Sequence, residues 1–104
     1  MSRIANIEDL PNNSSCSLQV DHLDILLVKR AGQLFLYENK CPHANDTLDP
    51  MGGSVCSADG LLLHCQRHAA EFLPDTGECV GGPCMGEHLN AIAFTLSNGD
   101  IYLD

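Results

Sequence analysis

Short apolar runs separated by turn residues dominate this chain. One run covers residues 23–28 and another covers 33–37, and residues 29–32 between them end in a glycine suited to a hairpin loop. No segment keeps a 3.6-residue apolar period for long, although single helical turns are expected near 7–10 or 86–89. The pattern predicts a β-hairpin over 23–37 and no long helix.

The second half of the chain carries a similar pair of apolar runs. Residues 91–96 and 101–103 flank a segment with an Asn-Gly dipeptide, which is a strong hairpin signal. Two shorter strands are expected at 61–64 and 71–73, in a stretch rich in glycine loops. The predicted fold class is therefore all-β.

Length and composition limit the domain count and the partners. The 104 residues fit one domain, and its core must be mainly aliphatic because there is no Trp and there are only three Phe and two Tyr. Fourteen Asp and Glu against five Lys and Arg give a formal net charge of −9. This charge argues against nucleic acid as a partner and favours protein partners with basic surfaces, although the carboxylates could equally serve solubility alone.

Neither a secretion signal nor a membrane span is expected. Residues 1–11 lack the apolar centre of a signal peptide, and no run approaches the roughly 20 apolar residues of a membrane span. We therefore expect a cytoplasmic protein. In that setting the six cysteines are more typical of metal ligands or free thiols than of disulfides.

Two Cys/His pairs follow predicted strands directly. Cys41 and His43 come after the first hairpin, and Cys65 and His68 come after the strand at 61–64. Each pair offers one thiolate and one imidazole, so two such loops facing each other could form a four-ligand metal site. The all-cysteine ferredoxin motifs are absent, and a structural zinc site with the same four ligands remains an alternative.

The spacing of these pairs, Cys-x-His, then 21 residues, then Cys-x-x-His, resembles the Rieske signature. The likeness runs from about Leu23 to Leu103 and includes further positions, namely Pro42, Leu48, Gly52-Gly53, Phe72, Thr76-Gly77 and Gly81-Gly82-Pro83. The resemblance implies one [2Fe-2S] cluster. By the same resemblance, Cys41 and Cys65 hold one iron, and His43 and His68 hold the other.

The resemblance also implies a Rieske fold over a single domain, 1–104. Antiparallel sheets from about 1–37 and 76–104 would form a basal barrel or sandwich, with a cluster-binding part at about 38–75 inserted into it. The implied function is that of a monomeric electron carrier, not an enzyme, between a flavin-dependent reductase and a terminal oxygenase. The alternatives are a small redox subunit of a larger reductase, such as nitrite reductase, and a structural zinc-binding module.

Other positions indicate where the cluster's potential lies. High-potential family members have a disulfide between the ligand loops and Ser and Tyr hydroxyls near the cluster, whereas this chain has Asp46 and Arg67, and Ala70 and Phe72, at those places. We therefore predict a potential in the lower part of the roughly −150 to +300 mV Rieske range, constant through neutral pH. A charged pair between Asp46 and Arg67 is a further hypothesis.

The remaining positions of interest are departures from the family pattern and unassigned side chains. Asn45 and Ala69 stand where glycine is usual, the loop at 49–59 is expected to be enlarged, and Pro83 is expected to shield the cluster. Four cysteines without ligand spacing are interpreted as small buried or loop residues, with a redox-sensing thiol as the alternative: Cys16, Cys56, Cys79 and Cys84. His22 and His88 are expected at the surface, and His64 is expected not to bind the metal because it adjoins Cys65 on a strand.

Overall fold

A computed structural model describes residues 2–42, 47–50, 52–66, 70–82 and 84–104. The described strands are β1 (Ser2–Asn6), β2 (Ser14–Val20), β3 (Leu23–Arg30), β4 (Gln33–Glu38), β5 (Leu63–His64), β6 (Glu71–Phe72), β7 (Cys79–Gly81), β8 (Phe94–Ser97) and β9 (Asp100–Leu103). The helical element among these residues is a 3-10 turn, Ile7–Asp9, so the predicted all-β class is confirmed. Within the described ranges, no helix has the length and apolar character needed to cross a membrane.

The strands form three antiparallel sheets of three strands each within the described residues. Their orders are β1-β9-β8, β2-β3-β4 and β5-β6-β7. The first sheet pairs the N-terminal strand with the C-terminal hairpin, since Ser2 lies opposite Leu103. The described strands nearest the two ends of the chain therefore lie side by side in one sheet.

Strand β3 is the centre of its sheet, and its two faces contribute to two different cores. Ile25 and Leu27 lie in the basal core, which consists of buried Leu10, Ile25, Leu27, Leu34, Leu36 and Ile101. Leu26 and Val28 lie in a second cluster of buried side chains, here called the site core. Its other members are Tyr37, Cys41, Leu48, Val55, Leu63, Cys65, Ala70, Phe72, Cys79, Cys84 and Leu89. Side chains alternate between the faces of a strand, and burial of each large aliphatic one stabilises the fold by about 1.5–3 kcal/mol. This double burial explains why the run is continuously apolar instead of alternating.

Both predicted hairpins are confirmed, with shorter turns than expected. Strand β3 continues to Arg30, so the first turn consists of Ala31 and Gly32 and not of 29–32. In the second hairpin, the Asn98-Gly99 turn joins β8 to β9. Residues 91–93 precede β8 and form an isolated bridge to Tyr37 and backbone hydrogen bonds with Leu36 and Asp104, but no strand, so the predicted strand at 91–96 begins too early.

The middle of the chain departs further from the prediction. Of the predicted strand 61–64, only Leu63 and His64 are in β5. The residues before them follow a turn in which the Gly60 N–H donates to the Ser57 carbonyl, and Leu61 is 54% exposed. Strand β6 ends at Phe72, one residue before the predicted end. The helical turn expected near 7–10 is confirmed, whereas 86–89 forms no helix. Strands β1, β2 and β7 were not predicted.

Candidate metal centre

The first ligand loop begins directly after β4 and is closed by a buried side chain. The Oδ1 atom of Asn39 accepts a hydrogen bond of 2.9 Å from the backbone N–H of Leu48. The Nδ2 atom of Asn39 donates to Asp49 Oδ1 at 2.8 Å, and its backbone N–H donates to the Asp24 carbonyl at 2.8 Å. Cys41 lies within the loop that these bonds close, with 0% of its surface exposed. The loop is therefore anchored to β3 and closed on itself.

The second ligand loop follows β5 and is attached to the first. The backbone N–H of Cys65 donates to the Ala70 carbonyl at 3.0 Å, which closes the segment that contains His68 in sequence. The backbone N–H of Gln66 donates to the Leu48 carbonyl at 2.9 Å, and its side-chain Nε2 donates to the Gly52 carbonyl at 2.8 Å. These two bonds from Gln66 connect the loops across the site.

Cys41 and Cys65 thus lie together in the site core, on two connected loops. Their exposed fractions are 0% and 5%, and both belong to one continuous cluster of buried side chains. All six cysteines are among the described residues, and none forms a disulfide. Buried thiols on hydrogen-bonded loops fit an iron–sulfur cluster, whose thiolate ligands need protection from solvent.

The two predicted histidine ligands, His43 and His68, lie outside the described residues. Among the described residues no group of three or more His, Cys, Asp and Glu side chains could hold a metal ion. Asp46, Arg67, Asn45, Ala69 and Pro83 also lie outside the described residues, so the expectations that concern them stay predictions.

The positions that replace the family's hydroxyl groups are fully apolar. Ala70 is 1% exposed and Phe72 is 0% exposed, and both side chains lie in the site core with the two cysteines. No hydroxyl is therefore available at either position to donate to the cluster.

Two further cysteines form part of the same core. Cys79 and Cys84 are each 2% exposed, and their sulfurs are 2.6 Å apart. Burial is the main cause that raises the pKa of Cys84 to about 12. The hydrogen bond with Cys79 and the charges of Cys79 and Cys41 also contribute to this rise. The prediction that both residues are buried is confirmed, but their contact was not foreseen, because a spacing of five residues across a glycine-rich turn carries no known motif.

The other histidines and cysteines considered from sequence, among the described residues, are exposed or partly buried. His22 and His88 are exposed, as predicted. His64 lies on the solvent side of β5 with its Nδ1 atom 3.3 Å from Glu71 Oε2, while the adjacent Cys65 is buried, which agrees with its expected exclusion. Cys16 and Cys56 are partly buried, and burial is the main cause that raises the pKa of each thiol.

Segment 52–57, within the predicted enlarged loop, is attached to β2 and β5. Ser15 Oγ accepts from the Val55 N–H at 2.8 Å, and Ser54 Oγ accepts from the Ser15 N–H at 2.9 Å. The His64 N–H donates to the Val55 carbonyl at 2.8 Å. This segment therefore forms an ordered wall of the site core beside Gln66.

Comparison with known proteins places this arrangement in a family. Residues 1–97 match the model of the Rieske [2Fe-2S] domain, and the chain therefore belongs to the Rieske [2Fe-2S] domain family. This confirms the resemblance read from the two Cys/His pairs. The cofactor of this domain is one Rieske-type [2Fe-2S] cluster.

Solved structures of ferredoxins have the same fold. The ferredoxin of carbazole 1,9a-dioxygenase from Nocardioides aromaticivorans IC177 superposes with a TM-score of 0.79 at 24% identity, covering 98% of this chain and 94% of that one. The Sphingomonas yanoikuyae B1 ferredoxin gives 0.78 at 21% identity, with coverages of 99% and 96%. A chain from the complex of reduced oxygenase and oxidized ferredoxin in carbazole 1,9a-dioxygenase gives 0.79 at 19% identity, with coverages of 99% and 100%. The predicted Rieske fold is confirmed.

Proposed function

We propose that this protein carries single electrons from a flavin-dependent reductase to a terminal oxygenase. The observation that carries the proposal is the pair of buried cysteines, Cys41 and Cys65, on two mutually hydrogen-bonded loops of a Rieske domain. Ferredoxins of oxygenase systems share the fold over nearly their whole length.

Cys41 and Cys65 are proposed to hold one iron, and His43 and His68 the other. A Rieske cluster accepts and releases one electron, and its neutral imidazole ligands place its potential above that of all-cysteine clusters. The protein's part is to hold the ligands rigidly and to keep water from the thiolates. The hydrogen bonds of Asn39 and Gln66 serve the first purpose, and the apolar site core serves the second.

The apolar side chains at 70 and 72 favour a low potential within the Rieske range. Hydrogen bonds to the cluster sulfurs stabilise the reduced state, so a site without the Ser and Tyr hydroxyls is harder to reduce. Ala70 and Phe72 fill these positions with buried apolar groups. We expect a midpoint potential in the lower part of the range of roughly −150 to +300 mV, which suits a donor to an oxygenase.

A potentiometric titration of the loaded protein tests this proposal. We expect reversible one-electron reduction with a midpoint potential below about +100 mV, unchanged across neutral pH. The variant A70S restores a hydroxyl and should raise the potential, whereas C16S, at a cysteine of the basal face, should leave it unchanged. A wild-type potential well above about +100 mV, or irreversible reduction, would refute the proposed role.

The acidic composition supports basic docking surfaces on both partners. A formal charge of −9 attracts a basic patch over distances near the Debye length of about 8–10 Å and raises the encounter rate more than the final affinity. This suits a carrier that must bind and leave two partners in turn, and a monomer exposes the site to each of them.

A further inference from the structure

Cys79 and Cys84 form a buried pair of thiols for which the proposed electron transfer has no use. Their sulfurs are 2.6 Å apart, and Cys79 Sγ also donates to the Gly81 carbonyl at 3.1 Å. Both side chains are 2% exposed and share the site core with Cys41. Their closeness distinguishes them from Cys16 and Cys56, for which no sulfur-to-sulfur contact occurs among the described residues.

The backbone between the two cysteines is shaped to bring them together. Strand β7 ends at Gly81, where a Cβ atom would meet Glu71 Oε1 at 2.7 Å, and Gly82 follows with a φ of +83°. The chain then returns at Cys84, where the Glu87 N–H donates to the Cys84 carbonyl at 3.0 Å and the Cys79 N–H donates to the Glu87 carbonyl at 2.8 Å. The two cysteines are therefore held side by side by the local fold.

We propose that Cys79 and Cys84 are a redox-active dithiol that closes to an intramolecular disulfide in the wall of the cluster site. The oxidant is a small-molecule disulfide, such as oxidised glutathione. One cysteine sulfur attacks the disulfide and releases one thiol, and the other cysteine sulfur then displaces the second thiol. Overall, two S–H bonds and one S–S bond break while a new S–S bond and two small-molecule thiols form, so two electrons pass to the oxidant.

Burial determines how this pair responds. A buried thiol reacts slowly because the thiolate is the nucleophile, so exchange needs local opening of the segment 79–84. Once the first sulfur has reacted, the second lies next to it, and closure is intramolecular. The disulfide then joins the first residue of β7 to the turn at Cys84, in the same core as Cys41 of the first ligand loop. This site is independent of the partners proposed above.

The chain offers a direct way to test this pair. Trypsin cleaves after Lys and Arg, and Arg67 is the last of these in the sequence. It therefore releases a C-terminal peptide, 68–104, in which Cys79 and Cys84 are the only cysteines. The loaded protein is equilibrated without oxygen in glutathione buffers of increasing oxidised fraction, with the visible spectrum recorded throughout. The protein is then denatured in the presence of N-ethylmaleimide, which alkylates its thiols, and digested with trypsin. The mass of the peptide 68–104 is measured by mass spectrometry.

We expect the peptide to lose both alkylation sites together and to become two hydrogens lighter than the dithiol form, while the cluster spectrum persists. Dithiothreitol should restore both sites. The variant C84S should never show this loss, and the matched variant C56S should behave as wild type. Three outcomes would each overturn the proposal: two alkyl groups retained in the most oxidised buffer, glutathione attached to a single cysteine, or disulfide formation only after the cluster has bleached. All three can be observed with the wild-type protein alone.

Discussion

Asn39 shows how one buried side chain shapes the cluster site. Its amide oxygen accepts from the Leu48 N–H, and its amide nitrogen donates to the buried carboxylate of Asp49. Asn39 itself is only 3% exposed, so water cannot replace these bonds. The position of Cys41 between Asn39 and Leu48 makes the ligand loop depend on this amide.

The variant N39A should therefore destabilise the protein and its hold on the cluster. It leaves the buried Leu48 N–H without its acceptor, which costs about 1–3 kcal/mol. Urea unfolding, followed by loss of visible absorbance, measures both effects. The control is N90A, since the exposed side chain of Asn90 donates a long hydrogen bond of 3.4 Å to Glu38 and its backbone carbonyl is kept in the variant. Equal stability of N39A and N90A would contradict this account of the loop.

Tyr37 makes a pH-dependent contribution from the opposite side of the site core. Its hydroxyl donates to the Pro74 carbonyl at 2.8 Å, and burial, followed by the charge of Asp75, raises its pKa from 10.0 to about 12. The native state thus holds this proton more tightly than the unfolded state. The resulting stability is complete below pH 10 and is lost as the pH rises through about 12.

The variant Y37F removes both the hydrogen bond and this pH dependence. At neutral pH it should lower the free energy of unfolding by about 0.5–1.5 kcal/mol, the usual net value of one hydrogen bond. The difference between wild type and Y37F should shrink as the pH rises above 10. Urea unfolding at several alkaline pH values measures it, with Y102F as the control at a partly buried tyrosine of the β1-β9-β8 sheet. A difference that stays constant with pH would argue against a native-state Tyr37 proton.

At this scale the sequence singled out Cys41 and Cys65, which the structure buries in one core, and their role as ligands stays a prediction. It did not indicate the side chains that support their loops. Cys41 and Cys65 stand out because residue type and spacing carry a metal's chemistry. Asn39 and Gln66 carry no such signal, because an amide becomes a loop closure only when the fold brings a particular N–H or carbonyl to it. The same holds for the contact between Cys79 and Cys84.

The two hairpin turns, Ala31-Gly32 and Asn98-Gly99, differ in one residue, so their effects on stability can be compared directly. Ala31 and Asn98 occupy the first turn positions with φ of +50° and +53°, and each is followed by a glycine with positive φ. Such a turn favours Asn-Gly, because asparagine tolerates the left-handed region better than alanine does. The first hairpin therefore contains a residue that is poorly suited to its backbone conformation.

Exchanging these residue types should change stability in opposite directions. We expect A31N to stabilise the protein by about 1 kcal/mol and N98A to destabilise it by about the same amount, since both positions are exposed. Urea unfolding of the two variants and of the double variant tests additivity as well. A loss of stability in A31N would mean that the first turn does not require this backbone conformation.

Element prediction succeeded where apolar runs were long. Strands β3 and β4 bury one or both faces over six residues or more, so their pattern is visible along the chain. Strands β5, β6 and β7 have two or three residues each, too few to show a period. β1 and β2 were missed because their apolar residues are interleaved with serine, glutamine and asparagine.

The net charge of the whole molecule predicts how its reactions depend on salt. At −9 the protein should meet a basic acceptor faster at low ionic strength and an anionic acceptor more slowly. Stopped-flow oxidation of the reduced protein by cytochrome c should slow as salt is added, whereas oxidation by ferricyanide should accelerate. Rates that do not change with salt for both acceptors would show that the carboxylates play no part in the encounter.

The overall architecture followed from the family resemblance more than from local patterns. Local patterns predicted two hairpins, but the pairing of Ser2 with Leu103 joins positions at opposite ends of the chain, which no local signal encodes. The resemblance to the Rieske family implied that both ends of the chain contribute to one basal part, but it did not indicate which strands pair there. The division into basal and cluster-binding parts at about 38–75 stays a prediction.

The most direct test of this account is the visible and reduced-state EPR spectrum of protein purified without oxygen. Ligation by Cys41, His43, Cys65 and His68 predicts a brown protein with a rhombic signal whose average g value is below that of all-cysteine clusters. The variant C65S should abolish the signal, and C16S should retain it. A colourless protein that stays colourless after reconstitution with iron and sulfide, and that holds one zinc ion, would contradict the assignment of this site to electron transfer.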